Sequence, residues 1–431
     1  MKALFEVIAL ALCALIISTK GNKRLAIYLC ASFFITDIFG TAHTIFAISA
    51  IISLFIHHDL KRTLNIYPLR RISLAILLIY FLITFFNSAG LNISLVSKPM
   101  IYFCETYLKL FVGFALISKI DDWLSAMKVL LPVLTIFAIW GVFTWFMQSN
   151  PWYEFLTNVY GSEAMWSGVQ DRGYRVNSFL TNPGAYGVVM GIGALSLWGY
   201  YLQVKNNKII LFILLIVFNV ILANSRASLM ACFVGLAVYL LFNYGVSRKL
   251  IFIATGGFLG MLILYNYVGS IKSIVDSTLD VIFTGGQNTH GSNMELKDTQ
   301  LQYSILYFLE APIWGHGIGF FREHIQPRYG TMSGLAGMEG YGYRMLVELG
   351  GVMIVAFVAF VIRFLNVLCG LRKVHRNIFS ITIAQFICFY FYIIAAGDYG
   401  NIFEYSFILI GMNLRYLLFN QRNIRIQSYI K

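Results

Sequence analysis

Residues 221–236 read ILANSRASLMACFVGL, and Arg226 is the only formal charge between Lys208 and Arg248. A charge at the centre of a membrane helix costs roughly 2.5–3.5 kcal/mol on insertion scales. The apolar flanks therefore set the fold class, and the arginine points to function. The stretch predicts a hairpin in which one apolar helix closes near Asn224 and the next opens by Arg226. Two readings fit the arginine. It snorkels to headgroups or carbonyls, as long basic side chains near helix ends do. Alternatively its planar fork faces a cavity that holds phosphate oxygens, with Ser225 and Ser228 orienting it.

The same texture extends both ways along the 431 residues, which are 59% hydrophobic and only 12% charged, with a mean hydropathy of +0.74. Soluble domains carry about 25% charged residues, so the pattern is that of an integral membrane protein. The expected fold is all-α, a single polytopic helical bundle over 1–431 with about 12 or 13 spanning segments. The clear ones lie near 72–87, 98–118, 126–147, 178–203, 209–223, 227–245, 250–268, 342–366, 378–396 and 402–419. Between 25 and 56 the run fits two short helices or one long tilted one, which place the N-terminus on opposite sides. The first apolar run, Leu4 to Ser18, lacks a small-residue cleavage site and reads as a retained helix rather than a signal peptide.

Basic residues cluster in the short links: Lys61, Arg62, Arg70 and Arg71; Lys205 and Lys208; Arg248 and Lys249; Arg372, Lys373 and Arg376; and the tail with Arg422, Arg425 and Lys431. Alternating spans put all of these on one side, the cytoplasmic one by the positive-inside rule. The net charge of +13 is thus a topology signal and does not indicate nucleic-acid binding. The six cysteines lie in or at the ends of apolar runs, so neither a disulfide framework nor a metal site is expected.

The opposite side receives two long segments, expected as periplasmic loops over 148–177 and 269–340, with Trp152, Trp166 and Trp314 as interfacial aromatics. Within the second, Gln300 to Glu310 has apolar residues at helical spacing, fit to lie on the membrane surface or simply to pack the loop down. Loops of this length are uncommon without structure or function of their own. No internal repeat is evident, which weighs against repeat-built transporters.

Several further groups on that side carry chemistry. Arg175 precedes an Asn177 to Gly184 stretch whose Asn-Pro-Gly break predicts irregular backbone or a polar helix cap. Such backbone survives at membrane depth only when buried in protein or lining a cavity. Pro312 to Arg322 alternates glycines, which permit close backbone approach, but lacks the spacing of a dinucleotide fingerprint. Glu339 and Arg344 stand at the mouth of the next helix with Glu348 deeper, so Glu339 is a candidate general base or a solvated loop acid. Glu105 and Lys109 are spaced to pair on one helix face, and Asp398 lies on the outer side with no assigned role.

From Arg175 to Gly351 the ordered pieces resemble the O-antigen ligase and polymerase superfamily of bacterial surface-polysaccharide assembly. The pieces are the Arg175–Pro183 entry, the Ser225-Arg226 hairpin, the long loop with Pro312 to Phe321, and the Glu348-Leu349-Gly350 helix start. The resemblance implies a metal-independent, cofactor-free glycosyltransferase of the inner membrane whose site faces the periplasm. Its donor is undecaprenyl-pyrophosphate-linked oligosaccharide, with membrane lipid and a chain-length regulator protein as the further implied partners. Arg226 and Arg175 become the expected pyrophosphate contacts, Arg322 and Arg344 secondary ones, and Glu339 with Arg226 the catalytic pair. Ligase-like members carry His-Asn where this chain has Glu339-Gly340, and often an arginine near Asp298-Thr299-Gln300, so the likeness leans to the polymerases. A ligase acting on lipid A core and a lipid-linked oligosaccharide flippase are the alternatives. The flippase expectation is a charged path open to both sides, whereas these arginines gather toward one.

Overall fold

The computed structural model describes residues 2–34, 42–88, 93–160, 169–170, 173–245, 294–325, 340–397 and 401–430, with isolated residues between 247 and 280 and at 327. The expected span at 250–268 lies largely outside the described residues, and Glu339, Trp166 and Asp398 lie outside them altogether.

The described chain is almost wholly helical. Helices α1 (Lys2–Ser18), α2 (Gly21–Phe34) and α3 (Ala42–Ile56) open it, so the run between 25 and 56 is carried by two helices. A bend of 106° turns α3 into the short α4 (Leu60–Ile66), which leads to α5 (Arg70–Phe86). Then come α6 (Ser94–Glu105), α7 (Tyr107–Leu116), α8 (Ile120–Met147) and α9 (Pro151–Tyr160). A two-stranded antiparallel ribbon, Val169–Gln170 against Gly173–Tyr174, precedes α10 (Pro183–Val204), α11 (Lys208–Leu222) and α12 (Arg226–Tyr244). The remaining long helices are Met294–Glu310, Tyr341–Gly370, Arg376–Ala396 and Ile402–Ile430, the second interrupted by a π-helical turn at Met345–Leu349.

Among the described residues six helices are long and apolar enough to cross a membrane, or up to eight if each bent pair counts as one span. That is fewer than the dozen or so expected. The runs near 72–87 and 209–223 form helices of 17 and 15 residues, and the run at 98–118 breaks by 55° at Thr106. Hydropathy registers the apolar content of such runs but not where the backbone bends.

Local chemistry explains the boundaries. The Asn182 side chain accepts from Gly184 N at 2.7 Å and Ala185 N at 3.1 Å, with Pro183 at the first helical position, so α10 starts later than its apolar run. Asp122 accepts from Ser118 N and Lys119 N at 2.8 and 2.9 Å and fixes the start of α8.

The Ile402–Ile430 helix forms the centre: every residue from 402 to 417 is buried. It crosses α7 at backbone contact, since a Cβ on Gly113 would fall 2.7 Å from Ile408 Cα and one on Gly411 2.8 Å from Phe114 N. Small residues allow this approach, and dispersion then drives helix association in lipid. Along the same crossing Lys109 forms a fully buried ion pair with Glu404, whose other oxygen accepts from Tyr28 Oη at 3.2 Å. The helix breaks at Thr106, between Glu105 and Lys109, and Lys109 meets a carboxylate from the far end of the chain. A second polar chain ties four helices: Trp123 Nε1 donates to Asn413 (2.7 Å), Asn413 to Gln385 (2.8 Å), and Gln385 to Ser196 (2.6 Å).

The bundle has two distinct ends. Gln203 at the close of α10 meets His375 at 2.7 Å, and Arg376 Nε donates to Phe242 O near the close of α12 at 3.3 Å. Lys205, Lys208, Arg372 and Arg376 therefore gather at one end. The starts of α10 and α12 and the close of the Arg376–Ala396 helix lie at the other.

Candidate functional site

The starts of α10 and α12 stand side by side. A Cβ on Gly184 would lie 3.2 Å from Ser225 Oγ and 2.6 Å from Tyr392 Oη, and one on Gly187 2.7 Å from Ser228 Oγ. Glycine at both positions lets the two helix ends close up. Asn224 takes a left-handed conformation (φ 47°), which turns the chain sharply out of α11, and Ser225 then caps α12 by accepting from Ser228 N at 3.5 Å. Arg226 is the first residue of α12 and is half-buried. Free N–H groups and the positive end of the helix dipole add to its charge.

Arg175 is delivered to the same end by the backbone. Val176 N donates to Leu222 O at 3.1 Å, so the strand leaving the ribbon runs along the close of α11, four residues before Arg226. The stretch that follows is irregular and buried, as the Asn-Pro-Gly break predicted. Asn150 Nδ2 donates to Asn177 Oδ1 (2.8 Å) and to Ser178 O (2.7 Å), while Ser178, at φ 52°, donates to Phe137 O at 2.8 Å. Tyr186 Oη bridges Phe137 O (3.1 Å) and Asn219 Oδ1 (2.8 Å). This network fixes the backbone behind both arginines and satisfies polar groups that lipid could not.

A second constellation surrounds Glu348. Its carboxylate, 1% exposed, accepts from Phe321 N at 3.1 Å and stands 3.8 Å from Arg344 Nη2. Arg344 is half-buried, whereas Arg322, next to Phe321, is exposed. The glycine-rich segment before it zips onto the π-helical turn: His316 N donates to Val347 O (2.8 Å) and Gly317 N to Glu348 O (3.0 Å). In return Gly351 N donates to Pro312 O (2.8 Å) and Val352 N to Ile313 O (3.2 Å). Backbone groups freed by the helix interruption are thereby paired, and Gly315 and Gly350, at φ 64° and 68°, permit the contact. His316 is spent structurally, stacking on Phe320 with ring centroids 4.4 Å apart and contacting Tyr307 O at 2.8 Å.

The close of the Arg376–Ala396 helix lies between the two constellations. Its Tyr392 reaches Gly184, its Ile394 O lies 3.0 Å from where a Gly340 Cβ would stand, and its Ala395 O accepts from Lys297 at 2.9 Å. The backbone carrying Arg175 thus comes to the end of the bundle where Arg226 opens α12, while Arg344 stands beside Glu348 and the exposed Arg322 follows Phe321, whose N–H donates to that carboxylate. Asn150 and Tyr392 were not among the residues singled out in the sequence. Tyr392 is one of 26 tyrosines in apolar surroundings, and only the packing of three helices reveals its place.

What this end can do chemically is hold an anion at two aligned helix starts reinforced by guanidinium groups. In comparisons with known proteins, no family model and no curated protein matches the chain.

Proposed function

We propose that this protein is a membrane glycosyltransferase that polymerises a surface polysaccharide from undecaprenyl-pyrophosphate-linked glycan. The observation that carries the reading is that α10 and α12 start side by side, with Arg226 first in α12, while the backbone carrying Arg175 runs along the close of α11 just before it. A pyrophosphate there meets helix N–H groups and planar guanidinium forks together. In the proposed step the bond from the anomeric carbon to the pyrophosphate oxygen breaks, and Arg226 and Arg175 stabilise the departing charge. The hydroxyl at the non-reducing end of another lipid-linked repeat unit attacks that carbon, and its proton passes to a base, for which Glu339 is the proposed residue. An ordinary carboxylate titrates near 4, so as a base it works best when partly desolvated. Arg322 and Arg344 serve as secondary contacts to the lipid-linked substrate.

The positive-inside pattern supports the orientation. The basic links at Lys205/Lys208 and Arg372/Arg376 lie at the end opposite Arg226, which supports reading the proposed site as facing the periplasm from the inner membrane. The arginines gather at one end rather than along a path through the bundle, which favours transfer over transport.

The deciding experiment is incubation of the purified protein with a lipid-linked repeat unit. Lengthening glycan on the lipid carrier is expected. Transfer to lipid A core makes the protein a ligase, and absence of any covalent product overturns the enzymatic reading.

A further inference from the structure

The basic end of the bundle holds arginines that the proposed chemistry does not use. Between the α4–α5 turn and the Tyr341–Gly370 helix lies an open cavity of about 530 Å³ lined by Arg70, Arg71 and Arg363. None of its lining residues is acidic, and Ile72 and Ala75 give it an apolar flank.

The turn that presents Arg70 and Arg71 is pinned from behind. Tyr67 is buried with its ring centroid 5.1 Å from Phe111 and 5.0 Å from Phe114 of α7. Arg70 Nη1 donates to Asn65 Oδ1 at 2.9 Å, which holds one guanidinium edge in place. The third arginine comes from an apolar element. Arg363 is the only formal charge between Glu348 and Arg372, and Val355, Val358 and Ile362 on its helix are 71%, 48% and 54% exposed. Such exposure of branched apolar side chains marks a surface turned to lipid. Arg363 stands seven residues before the helix closes at Gly370, roughly 10 Å along the axis at 1.5 Å per residue. A cation on a lipid-facing surface at that depth extends toward the headgroups.

Three guanidinium groups converging on one cavity without a carboxylate repel one another, and an anion relieves that repulsion. The depth and the apolar flank suit an anion that carries acyl chains. We propose that this cavity binds the phosphate headgroup of an anionic membrane phospholipid at the basic face of the bundle. Basic pockets between membrane helices on the cytoplasmic side recognise such headgroups.

The test uses the full chain purified in neutral detergent, with its melting midpoint followed during titration with phosphatidylglycerol, phosphatidylcholine or inorganic phosphate. A lipid that binds the folded state raises the midpoint by mass action. Phosphatidylglycerol is expected to raise it saturably and phosphatidylcholine not to. In R71Q/R363Q the half-saturating phosphatidylglycerol concentration is expected to rise at least tenfold. The pair K61Q/R62Q removes the same charge from exposed α4 positions outside the cavity and is expected to titrate as the wild type does. Should the double cavity variant fail to fold, R71Q and R363Q singly are each expected to weaken binding severalfold. Equal weakening by both double variants points to diffuse surface charge and overturns the site. Wild-type titration by the cavity variants overturns it as well, and equal stabilisation by inorganic phosphate overturns the lipid as its ligand.

Discussion

Gly315 and Gly350 meet backbone to backbone: a Cβ added to Gly315 would stand 2.7 Å from Gly350 N, with φ positive at both residues. Substitution at either therefore meets a steric and a conformational obstacle at once. Left-handed backbone costs a non-glycine residue about 1–2 kcal/mol, and the neighbour here is backbone that cannot rotate away. Gly315→Ala and Gly350→Ala are each expected to lower the melting midpoint by several degrees and to reduce polymer formation. Gly370→Ala, in open space at the end of the same helix, is the control and is expected to leave both unchanged. Thermal melts of the purified variants check this.

Arg226→Ala is expected to abolish polymer formation while leaving membrane insertion and yield intact. The residue is half-buried at a helix start and lies outside the core. Arg226→Lys is expected to restore little, because an ammonium cannot reproduce two parallel contacts to phosphate oxygens. Polysaccharide ladders from strains carrying each variant are the readout, and wild-type chain lengths in the alanine strain would sink the assignment.

The Lys109–Glu404 pair makes a different kind of prediction. Both side chains are essentially unexposed, so removing one partner strands a charge away from water. Breaking a buried pair typically costs about 3–5 kcal/mol, whereas replacing both partners with apolar groups of similar volume is often neutral. Lys109→Met and Glu404→Leu are each expected to be strongly destabilising, and the double variant is expected to recover most of the loss. A double-mutant cycle on unfolding free energies measures the coupling.

At the basic end, His375 couples stability to pH. Burial pushes its imidazole below the ordinary value, and the ring caps the Arg376–Ala396 helix by accepting from Ile378 N at 3.4 Å. The folded state thus resists protonation more than the unfolded chain does. The contribution is present above about pH 6.5, the unfolded value, and is lost as pH falls through the lower folded value. The melting midpoint is expected to fall between pH 7.5 and pH 5.5 in the wild type. His375→Asn keeps a capping acceptor and is expected to flatten that slope.

How much of this was legible in the sequence differs by feature. The hairpin at Arg226 and the buried irregular backbone near Ser178 were read correctly, because each is written in a few contiguous residues. The alternating glycines of 312–319 announced a close backbone approach but not its partner, which lies more than thirty residues onward at Gly350. Glu105 and Lys109 have the spacing of a helical pair. The bend at Thr106 and the arrival of Glu404 from the far end of the chain are products of packing, which local spacing cannot encode. Among the described residues six to eight helices or bent pairs are long and apolar enough to cross a membrane, because apolar composition persists through bends and short helices that the sequence alone does not mark.

The helix that occupies the centre of the bundle also has consequences for biogenesis. Ile402–Gln421 follows all of its partners in the chain, yet it supplies the carboxylate for Lys109 and the amide that joins Trp123 to Gln385. Helices made earlier must wait in the bilayer with these polar groups uncovered. A chain ending before residue 402 lacks the carboxylate that Lys109 meets and the amide that links Trp123 to Gln385. Arrival of the last helix is therefore the step that completes both polar networks at the centre of the bundle.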